Sequence, residues 1–199
     1  MRHLSFLFFS FILSMCYNFI SAQDTLWTLT GRSYEIENLQ ISSDSMMLKF
    51  TKPNGHDKKI YVEEVFSINY KEHGEFLYYI PERGDPNVEQ MRSVVLGQNA
   101  AIEKNCLAYT LSGFLIGYST PFAGLGFYSP AVPIAYSISV GSITVPTHKF
   151  IFNNNLQNKD GYFILGYSDG LKRKRTIHAL LGGVVGTIAG ITTILLIHK

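Results

Sequence analysis

Apolar and polar positions follow two different periods along the chain. From Leu26 to Ile80 the apolar runs are short: Leu26-Trp27-Thr28-Leu29 ahead of Gly31-Arg32, then Tyr34, Ile36, Leu39 and Ile41 among polar neighbours, then Met47-Leu48-Lys49-Phe50. A period near two is what a half-buried strand requires. Pro53-Asn54-Gly55 is a turn signal, since Gly or Asn supplies the positive φ of a tight turn. Ile60-Tyr61-Val62, Val65-Phe66-Ser67-Ile68-Asn69-Tyr70 and Phe76-Leu77-Tyr78-Tyr79-Ile80 follow, the last two separated by His73-Gly74. So many short strands in residues 24–80 must bend or close to protect their edges, and the pattern predicts a small SH3-like or Sm-like β-barrel or bent sheet.

Residues 81–86 form a charged hinge with Gly and Pro, and Asp85-Pro86 reads as an N-cap followed by Pro at the first helical position. A linker helix is expected over 85–104. Its stripe of Val88, Met91, Val95, Ala101 and Ile102 would rest on the barrel or a membrane surface, or the helix is a plain soluble linker.

Between Lys104 and Lys149 no residue is formally charged. At about 1.5 Å per helical residue against a hydrocarbon core of ~30 Å, the run Asn105 to Thr147 suffices for two crossings and is generous for one, with the apolar block bounded at 107–146 as one span or a helical hairpin. Residues 107–127 make the better span. Residues 131–146 carry Pro133 and are open to three readings: a second span after a bend at Ser129-Pro130, a re-entrant piece, or a buried segment. A polar and basic connector occupies 147–175, within which Gly161 to Gly170 reads as an amphipathic approach helix or loop with Tyr162 and Tyr167 at a membrane interface. Residues 176–197, with His178 as their only ionisable side chain, read as a transmembrane helix. The whole is an α+β membrane protein with two or three transmembrane helices.

Small residues recur at helical spacing. Gly182, Gly186 and Gly190 repeat every four positions, and Gly113 and Gly117 repeat the device earlier. Such ridges let helix backbones approach closely, either between copies of the chain or within one, and the second is preferred because both partners are present in the same chain. Directly before the last apolar block stands the basic run Lys172, Arg173, Lys174 and Arg175. It reads as a lipid-facing topology signal. The topology carries a conflict: an exported β domain followed by two crossings leaves the basic run outside, against the positive-inside rule, whereas an odd number of crossings obeys the rule and wastes apolar length. The parity stays open.

Composition sharpens this picture. Of 199 residues 46% are apolar and 16% charged, toward the membrane side of ordinary usage. A further apolar block, Leu4 to Ile20, follows Arg2 and His3 and precedes Ser21-Ala22-Gln23, the layout of a signal peptide over 1–22 cleaved after Ala22. Retention as an anchor and lipidation at Cys16, in Leu13-Ser14-Met15-Cys16, are the alternatives. Cys106 is the other cysteine, so the mature chain holds one thiol and no internal disulfide. A net charge of +2 gives no basis for a nucleic-acid partner.

Chemistry is hard to find. His3, His56, His73, His148, His178 and His198 show no ligand spacing, so neither a metal nor a cofactor is expected. Glu63-Glu64 belongs to a solvated turn rather than an acid–base pair. No nucleophile elbow, phosphate loop or dinucleotide fingerprint occurs, and the spans lack the buried charges of a transporter. The expectation is a protein without enzymatic activity.

The signal ending in Ala22-Gln23, the β domain with its Val65 to Tyr70 strand, the Gly-rich apolar stretch, the Gly166-Tyr167 element before basic residues and the last helix with Gly182-Gly183 together resemble an uncharacterised family of exported, Gly-rich membrane proteins from Bacteroidota. The resemblance implies a bacterial cell-envelope location and no catalytic residue. The expected protein is integral to a membrane, preferably the inner one, with its β domain in the periplasm in a structural or interaction role. Its partners would be membrane lipid, an unidentified envelope protein, and a second copy through the Gly ridges. The alternative is a small Gly-zipper oligomer with channel-like character.

Overall fold

The computed structural model describes residues 24–41, 46–124, 128–145 and 160–197. The signal region 1–22 with Cys16 lies outside them, as do His148, His198 and Lys199. The described residues fall into two compact units, one of 24–27 with 34–78 and one of 28–33 with 79–197.

The first unit is built from β1 (Asp24–Thr28), β2 (Ser33–Ile36), β3 (Asn38–Ile41), β4 (Met47–Thr51), β5 (Asp57–Tyr61), β6 (Val65–Tyr70) and β7 (Gly74–Leu77). They form two hydrogen-bonded sheets, ordered β2-β1-β6-β7 and β3-β4-β5. β3 with β4, β4 with β5, and β6 with β7 are antiparallel. Pro53-Asn54-Gly55 makes the β4–β5 turn, where Gly55 takes φ 76° and its N–H donates to the Lys52 carbonyl at 2.8 Å. That turn sets a register in which Leu48 faces Ile60 and Lys49 faces Lys59. One face therefore carries apolar residues inward and the other lysines outward.

Leu26, Ile36, Leu48, Phe50, Ile60, Val65 and Ile68 form one core fed by both sheets, with Tyr34, Leu39 and Tyr78 packed at its margin. Burying a side chain the size of Phe50 stabilises the fold by about 1.5–3 kcal/mol. The chain passes between sheets at Glu37, whose N–H donates to the Thr51 carbonyl, and at a 3-10 turn over Val62–Glu64. Of the barrel or bent sheet that the sequence predicts, the barrel is corrected here: the strands form two separate sheets that do not close. The reason is local: all four residues of the outer strand β7 are exposed and Asn38, Gln40 and Ile41 of β3 face water, so the ladders keep free edges.

The second unit is helical: α1 (Val88–Ile102), α2 (Leu107–Ser119), a 3-10 turn at Pro121–Ala123, α3 (Ala131–Ser142) and α4 (Gly161–Ile197). α1 starts two residues later than its Asp85-Pro86 signal suggested. Asn87 is the N-cap: its side chain accepts the Gln90 N–H while the Gln90 side chain accepts the Asn87 N–H, each at 2.9 Å. This reciprocal box satisfies two orphan donors at once, whereas Asp85 accepts the Glu82 N–H in the preceding turn. The buried residues of α1 are Val94, Val95, Gly97 and Ala101, and Ile102 faces outward.

α4 absorbs the second half of the expected 147–175 connector. It runs unbroken for 37 residues, about 55 Å, because no Pro interrupts it. Among the described helices it alone has the length and apolarity to cross a membrane. α2 and α3, at 13 and 12 residues, reach only about 20 and 18 Å, so the expected two or three crossing helices become one long helix beside two short ones.

Candidate membrane-embedded bundle

Glycine contacts fix how the helices meet. A Cβ on Gly182, Gly186 or Gly190 would collide with the carbonyl oxygen of Thr110, Phe114 or Tyr118 respectively. From the other side, a Cβ on Gly113 or Gly117 would collide with the carbonyls of Ala179 and Gly183. All five glycines thus lie in a single interface within the chain, and since the partner numbers rise together, α2 runs parallel to α4. α3 runs the other way: Gly183 packs on Pro133 and Gly141 on Thr176.

The same device ties α1 to the first half of α4. Gly97 sits against the Phe163 carbonyl, Gly166 against the Val94 carbonyl, and Gly170 against Gln98 and Ala101. One row of α4 therefore reads Gly166, Gly170, Lys174, His178, Gly182, Gly186, Gly190, every fourth residue. Such a row drifts about 40° round the helix at each step, so one straight partner would soon lose it. Two short helices with a break between them can follow it.

The break, at Glu103 to Cys106, lies opposite the two polar members of the row. Lys174 Nζ donates to the carbonyls of Ile102 and Lys104, capping the C-terminal end of α1 with positive charge. His178 Nδ1 and the Thr110 hydroxyl are 2.9 Å apart. Beside them the Arg175 guanidinium lies 5.2 Å from the centre of the Tyr109 ring, and its Nε is buried without a partner. Cys106 is buried at the same level and is the one cysteine among the described residues. Lys172 is half-buried and Arg173 exposed; the basic run is a collar around the middle of α4 rather than a loop before it.

Beyond the collar, large aliphatic side chains face outward. Leu107, Leu111 and Leu115 of α2, Ile134 and Ile138 of α3, and Leu181, Val185, Ile188, Leu195 and Leu196 of α4 are all exposed. Inside are glycines and small hydroxyls. Ser137 and Thr187 are buried, yet each donates to a carbonyl of its own helix, at 2.8 and 2.9 Å. Ser112 and Tyr136 share a 2.6 Å hydrogen bond between α2 and α3. No hydroxyl among these is stranded, as an apolar surrounding requires.

The β unit offers little chemistry. A hollow of about 620 Å³ opens at the β6–β7 hairpin, lined by Asp24, Tyr70, Lys71, Glu72, His73, Phe76 and Tyr78. Burial, with Tyr78 and Asp24 nearby, pushes the Tyr70 phenol up from its ordinary value, further from ionising. No cluster of potential metal ligands occurs among the described residues. The chain matches no protein-family model, no curated protein and no solved structure. Sequence reasoning had no signal for Thr110 opposite His178, or for Gln98 and Arg32 near the collar, because those meetings depend on the offset at which α1 and α2 lie along α4.

Proposed function

We propose that the chain is a membrane-anchored cell-envelope protein whose β unit acts outside the bilayer in a structural or interaction role. The observation that carries the reading is the outward aliphatic face of α4: only 28% of its most apolar stretch is buried in the protein. A core helix of a water-soluble protein would be mostly covered, whereas hydrocarbon accepts these side chains without a partner. From Thr176 to Ile197 the helix measures about 33 Å, close to the ~30 Å hydrocarbon thickness. The resemblance to exported membrane proteins of Bacteroidota implies the same envelope location.

α2 leaves the collar level and α3 returns to it, so the hairpin they form changes no side. With the β unit exported, the basic run then lies outside too, against the usual charge bias. Its charges call for a second role besides topology. The channel-like alternative needs glycine ridges open to other copies, and here the same glycines are covered by the chain's own helices.

Alkaline extraction of membranes tests the anchor, and protease added to spheroplasts tests the side. The expected outcome is a chain that stays in the extracted pellet and loses its β unit to external protease. Release into the supernatant would remove the anchor; an intact β unit would put it on the other side.

A further inference from the structure

The collar contains a cavity lined by cationic side chains. It measures about 210 Å³ and lies entirely within the helical unit. Three segments line it: Thr30 and Arg32 from the turn that follows β1, Gln98 and Ile102 from α1, and Arg173, Lys174, Ile177 and His178 from α4. The turn is held to α1 because Asn99 Nδ2 donates to the Gly31 carbonyl at 2.9 Å, and because Gly31, at φ 74°, packs directly on Gln98 with no room for a Cβ.

Arg32, Arg173 and Lys174 bring three positive charges to the lining, and no carboxylate is among the lining residues. Lys174 uses two of its three N–H donors on the end of α1 and keeps one. His178 has Nδ1 engaged by Thr110 and keeps Nε2. The Gln98 Oε1 is buried with no hydrogen-bond partner and, as an acceptor, calls for a donor such as a headgroup hydroxyl rather than for the anion itself. Three cations lining one cavity without a counter-charge suit an anion that accepts several hydrogen bonds.

The cavity's other wall is apolar. Ile102 and Ile177 line it and are 41% exposed, and from Ile177 an exposed row continues along α4 through Leu181, Val184 and Ile188. A cationic mouth opening onto an aliphatic track matches an amphiphile with an anionic head. We propose that this cavity binds the phosphate headgroup of an anionic glycerophospholipid, its acyl chains lying along the outer row of α4. The inference rests on the membrane reading above and gives the outward-lying basic run its second role.

The test is native mass spectrometry of the full chain released from vesicles of phosphatidylglycerol and phosphatidylcholine, after alkaline extraction has established whether the chain is integral. The expected result is one retained phosphatidylglycerol. The double variant Arg32→Gln/Arg173→Gln, at two exposed positions whose loss leaves the Lys174 cap in place, should reduce retention roughly tenfold or more, from the loss of two basic contacts. Lys172→Gln, which lies outside the cavity, should leave retention unchanged.

Equal retention of phosphatidylcholine, or an equal loss with Lys172→Gln, would overturn the site while leaving the membrane anchor standing. Displacement of the lipid by millimolar inorganic phosphate would show a simple anion site and overturn the lipid assignment. A chain extracted into the supernatant would overturn the anchor and the site together.

Discussion

The two units solve the problem of burial in opposite ways. In the β unit Leu48, Phe50 and Ile68 are almost wholly covered while Lys49, Asp57 and Lys59 face outward. In the α2–α3–α4 bundle glycines and hydroxyls are inside and Leu111, Leu181 and Ile188 are outside. The first arrangement draws its stability from removing apolar area from water. The second cannot, because its large apolar groups remain uncovered; it draws on backbone contact between helices, as packing in lipid does. The comparison teaches that one chain carries two opposite burial patterns, the first suited to water and the second to hydrocarbon.

The largest effect expected from breaking this contrast is in the β core. Phe50→Ala should destabilise the β unit by about 3–5 kcal/mol, since it removes an aromatic from the centre of a small core. Trp27, the only tryptophan, lies in β1 and reports that unfolding by its fluorescence while the helical far-UV signal persists. Loss of both signals together would mean that the units do not unfold separately. A somewhat smaller effect separates the two solvents. Ile188→Lys on the outer face of α4 should cost about 3 kcal/mol if that face lies in hydrocarbon, seen as a smaller fraction of chain resisting alkaline extraction. Ile41→Lys, at an equally exposed position on β3, should change stability by no more than about 0.5 kcal/mol. Equal, small effects at both positions would leave α4 in water.

How far these features were legible in the sequence follows from what each depends on. Period-two alternation and the Asn54-Gly55 turn are local, so the strands and the β4–β5 hairpin could be read directly. Sheet closure depends on whether β7 meets another edge, which alternation does not encode, and the barrel was the wrong extrapolation. Residues 161–170 were open to a helix or a loop, because Gly166 and Gly170 have poor helical propensity, but against α1 they permit an approach that a larger residue would forbid. The spacing of Gly182, Gly186 and Gly190 was visible, whereas the constant offset that brings Thr110, Phe114 and Tyr118 opposite them was not. Nor did any spacing relate Arg32 to Arg173, because the cavity between them is made by the fold of three separated segments.

Two further changes sharpen the comparison at smaller magnitude. Gly186→Ala replaces a residue by the best helix former, yet its Cβ would meet the Phe114 carbonyl, so the bundle should lose about 1–3 kcal/mol in detergent thermal melts followed by far-UV signal. Gly161→Ala meets nothing within reach and should be neutral or stabilising. The same sign at both sites would mean that backbone contact does not hold the bundle.

The smallest effect is electrostatic and belongs to the β unit alone. Lys49 donates to Asp57 across the β4–β5 pair at 2.9 Å, and the Thr51 hydroxyl donates to the other carboxylate oxygen, also at 2.9 Å. These hydrogen bonds, that from Lys49 first, hold the Asp57 carboxyl below its ordinary value. A lowered value in the folded state means that the stabilisation is present above the unfolded value near 3.9 and disappears as pH falls through the folded one. The pair is exposed, so salt should weaken it. Urea midpoints read by Trp27 fluorescence should therefore fall slightly below about pH 4 in low salt, and Asp57→Asn should reduce that fall. The α2–α3–α4 bundle from Thr176 onward has no carboxylate among its described residues, so its melting should stay flat over the same range. A bundle that loosened with acid in step with the β unit would show that the two burial patterns do not respond separately.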